Sequence, residues 1–160
     1  MKNFLGIGVS VGVLAGLWTQ VSIELELVAF IAWACYFAAG GRRDGFTKGL
    51  AANLAGVFWG WVASQVLEQL TFTGAVAIAV TVVALILCVQ AAAAPLSFIP
   101  GAFAGTAVFF GTAFDTWGTV IALVAGACLG WVSDVLGARI QALVDRSAPA
   151  PEVEPPARAA

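Results

Sequence analysis

Histidine is absent from this chain, and charged side chains are scarce. Only 10% of its 160 residues are charged, whereas 61% are hydrophobic and the mean hydropathy is +0.99. A soluble domain has about 25% charged and about 45–50% apolar residues. The chain therefore has too few charges to cover a water-exposed surface, and its composition predicts an integral membrane protein. The lack of histidine also removes the commonest general base and metal ligand.

Cysteine is nearly as rare, and no arrangement typical of catalysis is present. Cys35, Cys88 and Cys128 lie inside apolar stretches without the spacing of metal ligands or of a disulfide framework. The sequence has no serine–histidine pair and no phosphate-binding loop. We therefore expect no enzyme activity, no catalytic residues, no cofactor, no metal and no nucleic-acid partner.

Apolar runs of about 17–25 residues, the length that crosses a bilayer, divide most of the chain into six segments. These candidates predict an all-α, polytopic membrane protein of six transmembrane helices in the lipid bilayer. Their predicted bounds are Asn3–Val21, Leu25–Ala39, Phe46–Val66, Thr73–Ala93, Phe98–Phe114 and Trp117–Leu136. A six-helix transmembrane domain at 1–145 is then followed by a tail at 146–160, whose proline-rich, polar composition predicts disorder in the cytoplasm.

The distribution of charge predicts the orientation. All seven lysine and arginine residues fall on one side of a six-helix arrangement, and the connections on the other side carry only acidic residues. Basic residues are retained on the cytoplasmic side of membrane proteins. We therefore predict that both termini are cytoplasmic. Near that side, Asp134 is expected either to pair with Arg139 or to relay protons.

Small residues recur at four-residue spacing in several predicted helices, which places them on one helix face. Such faces let helices approach closely within lipid, and they could alternatively border a narrow solute path. The glycines predicted to pack helices are Gly8, Gly12, Gly16, Gly56, Gly60, Gly105, Gly126 and Gly130. Predicted helices two and four have larger apolar residues and are expected to face lipid or a neighbouring subunit.

Three polar or aromatic side chains within the predicted helices require partners. Asn53 and Gln90 are large amides that either join helices by hydrogen bonds or line a wet path. Trp59 carries an indole N–H that needs an acceptor when buried. It either narrows the same path or fills space beside the glycines.

The turn before the fifth predicted helix, "LSFIPGAFAG", carries no charge. Pro95 is expected to end the fourth helix, Ser97 to cap the fifth, and Pro100 to lie in its first turn. Gly101 then begins a small-residue face. This helix start either lies below the membrane surface with its N–H groups directed into a cavity, or forms an ordinary surface turn.

A weak internal repeat is also present. The segments at 35–56 and 88–105 each place a cysteine near the end of one predicted helix and a glycine at the start of the next. Short small-residue and tryptophan patterns, "LAGLW", "LAGVFW" and "CLGW", recur as well. Repeats of this kind occur in transporter folds.

Several longer segments resemble a known family. "ACYFAAGG", "TKGLAANLAGVFWGW" and "ILCVQAAAAPLSFIPGAFAGTAVFFG" are similar to an uncharacterised bacterial inner-membrane family, domain-of-unknown-function family 1097. The likeness extends to about Gly137. It implies a compact polytopic protein of the bacterial inner membrane. Because the family has no established activity, it implies no functional residues.

The leading functional hypothesis is a channel or transporter for a small solute. Its candidate lining residues are Asn53, Gln90, Ser97, Pro100, Gly101 and Trp59. Because a bundle of 16.4 kDa leaves little room for a central pore, we also expect a homo-oligomer. The alternative is a non-transporting membrane subunit or scaffold that binds partner membrane proteins through its small-residue helix faces.

Overall fold

The computed structural model describes residues 4–21 and 26–147, and all regular structure in these ranges is helical. Six helices follow one another along the chain. They are α1 (Phe4–Val21), α2 (Glu26–Ala38), α3 (Arg42–Leu67), α4 (Ala75–Val89), α5 (Ile99–Gly111) and α6 (Thr116–Ser147). Helices α3 and α6, and α4 together with the 3₁₀ turn that continues it to Ala92, are long and apolar enough to cross a membrane, whereas α1, α2 and α5 are shorter apolar helices. The predicted all-helical membrane protein is confirmed, and the crossing of the bilayer by all six helices stays a prediction.

Helix α3 begins earlier than the hydropathy pattern indicates. A short α-helical turn, Arg42–Asp44, runs into a π-helical turn, Gly45–Gly49, and then into the regular helix from Leu50. The basic segment between the second and third predicted helices is therefore mostly helical. The chain reverses at Gly40 and Gly41, which both have positive φ angles, a conformation that glycine adopts without steric cost.

Helix α6 continues past Leu136, where the apolar run ends, to Ser147. The additional turns remain helical because they pack against α1, as when the Gln141 side-chain oxygen accepts the Gly6 backbone N–H at 3.2 Å. Most of the predicted tail, residues 148–160, lies outside the described residues, as do residues 22–25 at the predicted start of the second helix.

Two closely packed helix pairs form the centre of the bundle. Helix α3 packs along α5, and α2 packs along α6, while α1 contacts α6 and α4 contacts α3 and α5. Where the central pairs meet, Val57, Phe109 and Leu123 are almost completely buried. The outer helices therefore depend on the central ones for their position.

The prediction that the second and fourth helices both face outward is wrong for the second. In α2, Ala29, Trp33 and Tyr36 are buried, because its alanines let α6 approach closely. In α4, by contrast, large side chains such as Val76 and Leu85 remain mostly exposed.

Three of the predicted packing glycines lie where a neighbouring backbone comes so close that no side chain would fit. Gly56 meets the Ala102 carbonyl, Gly105 meets the Asn53 carbonyl, and Gly126 meets the Ala29 carbonyl. These faces are closed helix crossings. They therefore do not border an open solute path within the chain.

Two further glycines accommodate aromatic rings. A Cβ atom on Gly60 would lie 2.9 Å from the Phe109 ring, and one on Gly130 would lie 2.7 Å from Tyr36. The rings occupy the space that a larger residue would need. Both positions thus support close packing of aromatic side chains.

The small-residue face of α1 behaves differently from the others. Gly8, Gly12 and Gly16 are exposed, and no atom of another element lies within 4 Å of a Cβ built on any of them. The structure therefore corrects their expected packing against another helix of this chain. Gly6, on a different face of α1, meets the Gly137 carbonyl instead. Spacing alone identifies a face but does not determine which face meets a neighbour.

Candidate functional site

A large cavity lies between α3, α4 and α5, at the end of the bundle that carries Glu68. We call this the acidic end; the opposite end, which carries Arg42 and Arg43, is the basic end. The cavity has a volume of about 690 Å³, and its wall includes Ser64, Gln65 and Glu68. A large opening with polar side chains near it is therefore available to a solute at the acidic end.

A smaller apolar pocket of about 230 Å³ continues from this cavity toward the middle of the bundle. Leu67, Val80 and Phe110 line both spaces, which establishes that they adjoin. The deeper pocket ends at Leu87, whose side chain is only 1% exposed and packs in a cluster with Ala52 and Ala102. The pocket lining does not extend past this cluster toward the basic end.

A polar contact lies one helical turn beyond this cluster. The Trp59 indole N–H donates to the Gln90 side-chain oxygen at 3.0 Å. The Gln90 amide nitrogen is buried and has no hydrogen-bond partner. Unpartnered buried amides are costly in a membrane interior, so this NH₂ group is available to donate a hydrogen bond to a polar group. The structure brings together these two sequence-predicted residues.

Sequence reasoning did not select the residues that shape the pocket. Leu87, Ala84, Phe103 and Phe110 are ordinary apolar residues in a chain made mostly of such residues. Thr106 also lines the pocket, but its hydroxyl donates to the Gly56 carbonyl at 2.9 Å. No pattern in the sequence distinguishes these side chains, because the pocket results from how far α4 stands from α3 and α5.

Asn53 lies apart from this cavity. Its side chain is 1% exposed, beside the crossing of Gly105, and both amide atoms are buried without a hydrogen bond of ordinary geometry. The Cys35 thiol lies near the amide, but a thiol is a weak partner. Asn53 and Gln90 occupy different faces of the bundle, so the structure does not unite them in one path.

The turn before α5 also lies away from the cavity. Ser97 and Pro100 are exposed, and Phe98 rather than Ser97 occupies the capping position, with no side-chain cap. Pro100 lies in the first turn as predicted. The Phe98 ring fills the space beside Gly101, where an added Cβ would lie 2.5 Å from it. The helix start is thus covered by an aromatic ring.

Asp134 has partners other than the expected Arg139. Its carboxylate accepts the Tyr36 hydroxyl at 2.9 Å and the Arg42 backbone N–H at 3.0 Å. Arg42 has a φ of 51°, which costs roughly 1–3 kcal/mol for a residue with a side chain. Asp134 therefore anchors the reversal between α2 and α3.

Two smaller cavities lie between α3 and α6, one at each end. The one at the acidic end has a volume of about 230 Å³ and is bordered by Trp61, Thr116 and Trp117 among others. The one at the basic end has a volume of about 290 Å³. Its lining residues are Arg42, Arg43, Phe46, Thr47 and Trp131. Within the described part of the chain, no group of three or more metal-ligating side chains accompanies these cavities.

Comparison with known proteins supports the resemblance seen in the sequence. The chain is 32% identical over 157 residues to the "Uncharacterized protein YahC" of Escherichia coli (strain K12), covering 88% of this chain and 94% of that protein. It is 33% identical over 142 residues to the "Inner membrane protein YcdZ" of the same organism, covering 82% of this chain and 83% of that protein. No solved structure matches the chain.

The family model for "Protein of unknown function (DUF1097)" matches residues 8–138. This match includes most of α1 and α6, all of α2 to α5, and the residues that line the cavity described above. The chain therefore belongs to the DUF1097 family of proteins of unknown function.

Proposed function

We propose that the chain transports a small solute across the membrane, through the cavity between α3, α4 and α5. The observation that carries this proposal is a cavity open at one end and ending at Leu87, with the unpartnered Gln90 amide one turn beyond. A solute site accessible from only one side is the arrangement that a transporter requires. The positive-inside rule makes the basic end cytoplasmic, so the cavity would open to the opposite side.

The lining favours a small, uncharged solute with both apolar and polar groups. The deeper pocket is bordered almost wholly by alanine, valine, leucine and phenylalanine. Among the residues that the structure describes, no lysine or arginine borders either space, so none of them would neutralise an anion there. The Gln90 amide would offer the polar contact as the solute passes the Leu87 cluster.

Helix α4 is the element that would move. Among its residues only Ala75 and Leu87 are buried. Little packing would be lost if it shifted against α3 and α5. The backbone carbonyl contacts of Gly56 and Gly105 hold α3 and α5 together, so those two helices would form the stationary wall.

The test begins with a panel of neutral solutes, including glycerol, urea and small alcohols and amides, screened for thermal stabilisation of the purified protein. A solute that binds the folded state raises the midpoint of unfolding. Uptake of a stabilising solute is then measured in proteoliposomes. Ala84→Phe, which fills the pocket, should reduce uptake at least about tenfold, and Gln90→Leu should also reduce it.

Leu85→Phe is the matched control, because Leu85 is the next residue of α4 and is 63% exposed. This variant should transport normally. Equal uptake by Ala84→Phe and Leu85→Phe would remove the cavity from the path. If no solute both stabilises the protein and enters liposomes, the transport proposal fails.

A second candidate is the non-transporting subunit that binds another membrane helix. The exposed face of Gly8, Gly12 and Gly16 favours it, since small-residue faces promote close helix association in lipid. The same face would serve a homo-oligomer. Gly12→Leu should then dissociate a co-purifying partner or a second copy, measured by native mass spectrometry, without changing uptake.

A further inference from the structure

The sequences of α3 and α6 correspond over eleven positions. "ANLAGVFWGWV" at 52–62 and "ALVAGACLGWV" at 122–132 align without gaps, seventy positions apart. The identical pairs are Ala52 and Ala122, Ala55 and Ala125, Gly56 and Gly126, Gly60 and Gly130, Trp61 and Trp131, and Val62 and Val132. Glycine and alanine are common in this chain, but the shared tryptophan fixes the register.

Helices α2 and α5 correspond in the same way. "AFIAWACYF" at 29–37 and "AFAGTAVFF" at 102–110 align seventy-three positions apart. The identical pairs are Ala29 and Ala102, Phe30 and Phe103, Ala34 and Ala107, and Phe37 and Phe110. This register relates α2 to α5, whereas the weak repeat predicted from Cys35 and Cys88 relates α2 to α4.

The packing repeats with the sequence. Gly56 of α3 meets the carbonyl of Ala102 in α5, and its counterpart Gly126 meets the carbonyl of Ala29 in α2, the counterpart of Ala102. One turn further, the ring that fills the space beside Gly60 is Phe109, and the ring beside Gly130 is its counterpart, Tyr36. Each crossing therefore has an equivalent in the other half of the chain.

The cavities between α3 and α6 repeat too. At the acidic end the lining includes Trp61 and Thr116, and at the basic end it includes their counterparts Trp131 and Phe46.

The outer helices follow the same relation, because α4 contacts α3 as α1 contacts α6. The halves α1–α3 and α4–α6 each contain three helices. An odd number makes one half run opposite to the other, as in inverted-repeat transporters.

The two halves differ in how closely their outer helix is packed. Beside α1 the Ser10 hydroxyl donates to the Ser133 carbonyl of α6 at 2.8 Å, and the Trp33 indole donates to the Ser133 hydroxyl at 2.9 Å. The counterpart of Ser133 is Ala63, which lines the open pocket together with Val80 of α4 instead. Equivalent places are thus closed at the basic end and open at the acidic end.

We infer that the chain is an inverted repeat, and that the contact of α1 with α6 is a second solute site, closed in this conformation. This site would open at the basic end when the pocket beneath α4 closes, and it would receive the same small, neutral solute. The inference rests on the proposed function and deepens it, because exchange between two equivalent arrangements would move a bound solute from one side to the other.

The experiment measures the two sites separately by thiol reactivity. The full-length chain, with its three cysteines replaced by alanine, is placed in nanodiscs, where both faces meet the same water-soluble maleimide. Val80→Cys reports the open pocket and should react fast, whereas Ser10→Cys reports the closed site and should react slowly.

A bulky residue is then inserted beneath α1 by Ser133→Phe. A milder variant, Trp33→Phe, removes one hydrogen bond to Ser133.

Both variants should raise the labelling rate of the thiol at position 10 and lower the rate at position 80. Each change should be about fivefold for Ser133→Phe, and in the same direction but smaller for Trp33→Phe. Val132→Phe is the matched control, since Val132 adjoins Ser133 but is exposed. This variant should leave both labelling rates unchanged.

A rise in the labelling rate at position 10 without a fall at position 80 would mean local loosening and would overturn the inference. Unchanged rates in both variants would overturn it as well.

This readout uses no solute, so it separates the inference from the proposed function. Reciprocal rates without uptake of any solute would leave the inference standing and remove the transport proposal. Uptake of a solute without opposite changes in the labelling rates at positions 10 and 80 would support the transport proposal and overturn the inference. Where Ser133→Phe does not fold, the milder Trp33→Phe carries the test.

Discussion

Single glycines determine how closely the central helices approach each other. At Gly56 the Ala102 carbonyl occupies the place of a side chain, whereas at Gly12 the same place is empty. Both residues belong to stripes with the same four-residue spacing. Their different surroundings make them a matched pair for measuring what helix approach contributes to stability.

Gly56→Val is expected to lower the free energy of unfolding by about 1–3 kcal/mol, because the added side chain forces α3 and α5 apart. Gly12→Val should leave it unchanged within about 0.5 kcal/mol. Unfolding in increasing mole fraction of sodium dodecyl sulfate, followed by circular dichroism, measures both. Equal destabilisation by the two substitutions would contradict the closed crossing at Gly56.

The outer helices α1 and α4 are attached to the central pairs by different interactions. Helix α1 is joined to α6 by hydrogen bonds at Ser10 and Gly6 and by the close contact of Gly6 with Gly137. Helix α4 adjoins a cavity instead. The attachment of α1 near its beginning depends on the Gln141 amide, whose oxygen accepts the Gly6 N–H and whose nitrogen donates to Asp145 at 2.9 Å.

Gln141→Leu should therefore loosen the beginning of α1. We expect the thermal midpoint to fall by about 2–4 °C, the shift that about 1 kcal/mol produces in a chain of this size, and limited proteolysis near the N-terminus to speed up. Ser147→Ala, an exposed polar position later in α6, serves as the control and should change neither. Unaltered proteolysis in Gln141→Leu would show that α1 does not depend on this amide.

At the scale of the whole molecule, six membrane crossings would place the beginning of α1 and the end of α6 on one side. The reversal between α2 and α3, which carries Arg42 and Arg43, would share that side, whereas the connection between α3 and α4 would lie opposite. The distribution of basic residues predicts that the shared side is cytoplasmic.

Fusions to green fluorescent protein and alkaline phosphatase test this topology in bacteria. Fluorescent protein joined at either terminus should fluoresce, and phosphatase there should be inactive. Phosphatase inserted at Thr73, between α3 and α4, should be active. An active phosphatase at the C-terminus would contradict both the orientation and the even number of crossings.

The sequence predicted the helices more accurately than the site. Apolar runs located all six helices because lipid exposure and burial both demand apolar residues. They misplaced the start of α3 and the end of α6, where polar residues extend a helix by packing on a neighbour. Among the predicted lining residues, Trp59 and Gln90 come together, while Asn53, Ser97, Pro100 and Gly101 do not join them.

Composition by itself determined that this is a helical membrane protein, and local similarity determined its family, because both properties are carried by consecutive residues. Only the tertiary structure decided which faces meet. Gly8 and Gly56 look alike in sequence, yet only Gly56 lies at a crossing. The cavity beneath α4 and the partners of Asp134 likewise depend on residues far apart in the chain. The distance between two helices depends on how their facing side chains fit together, and those side chains belong to different segments of the chain.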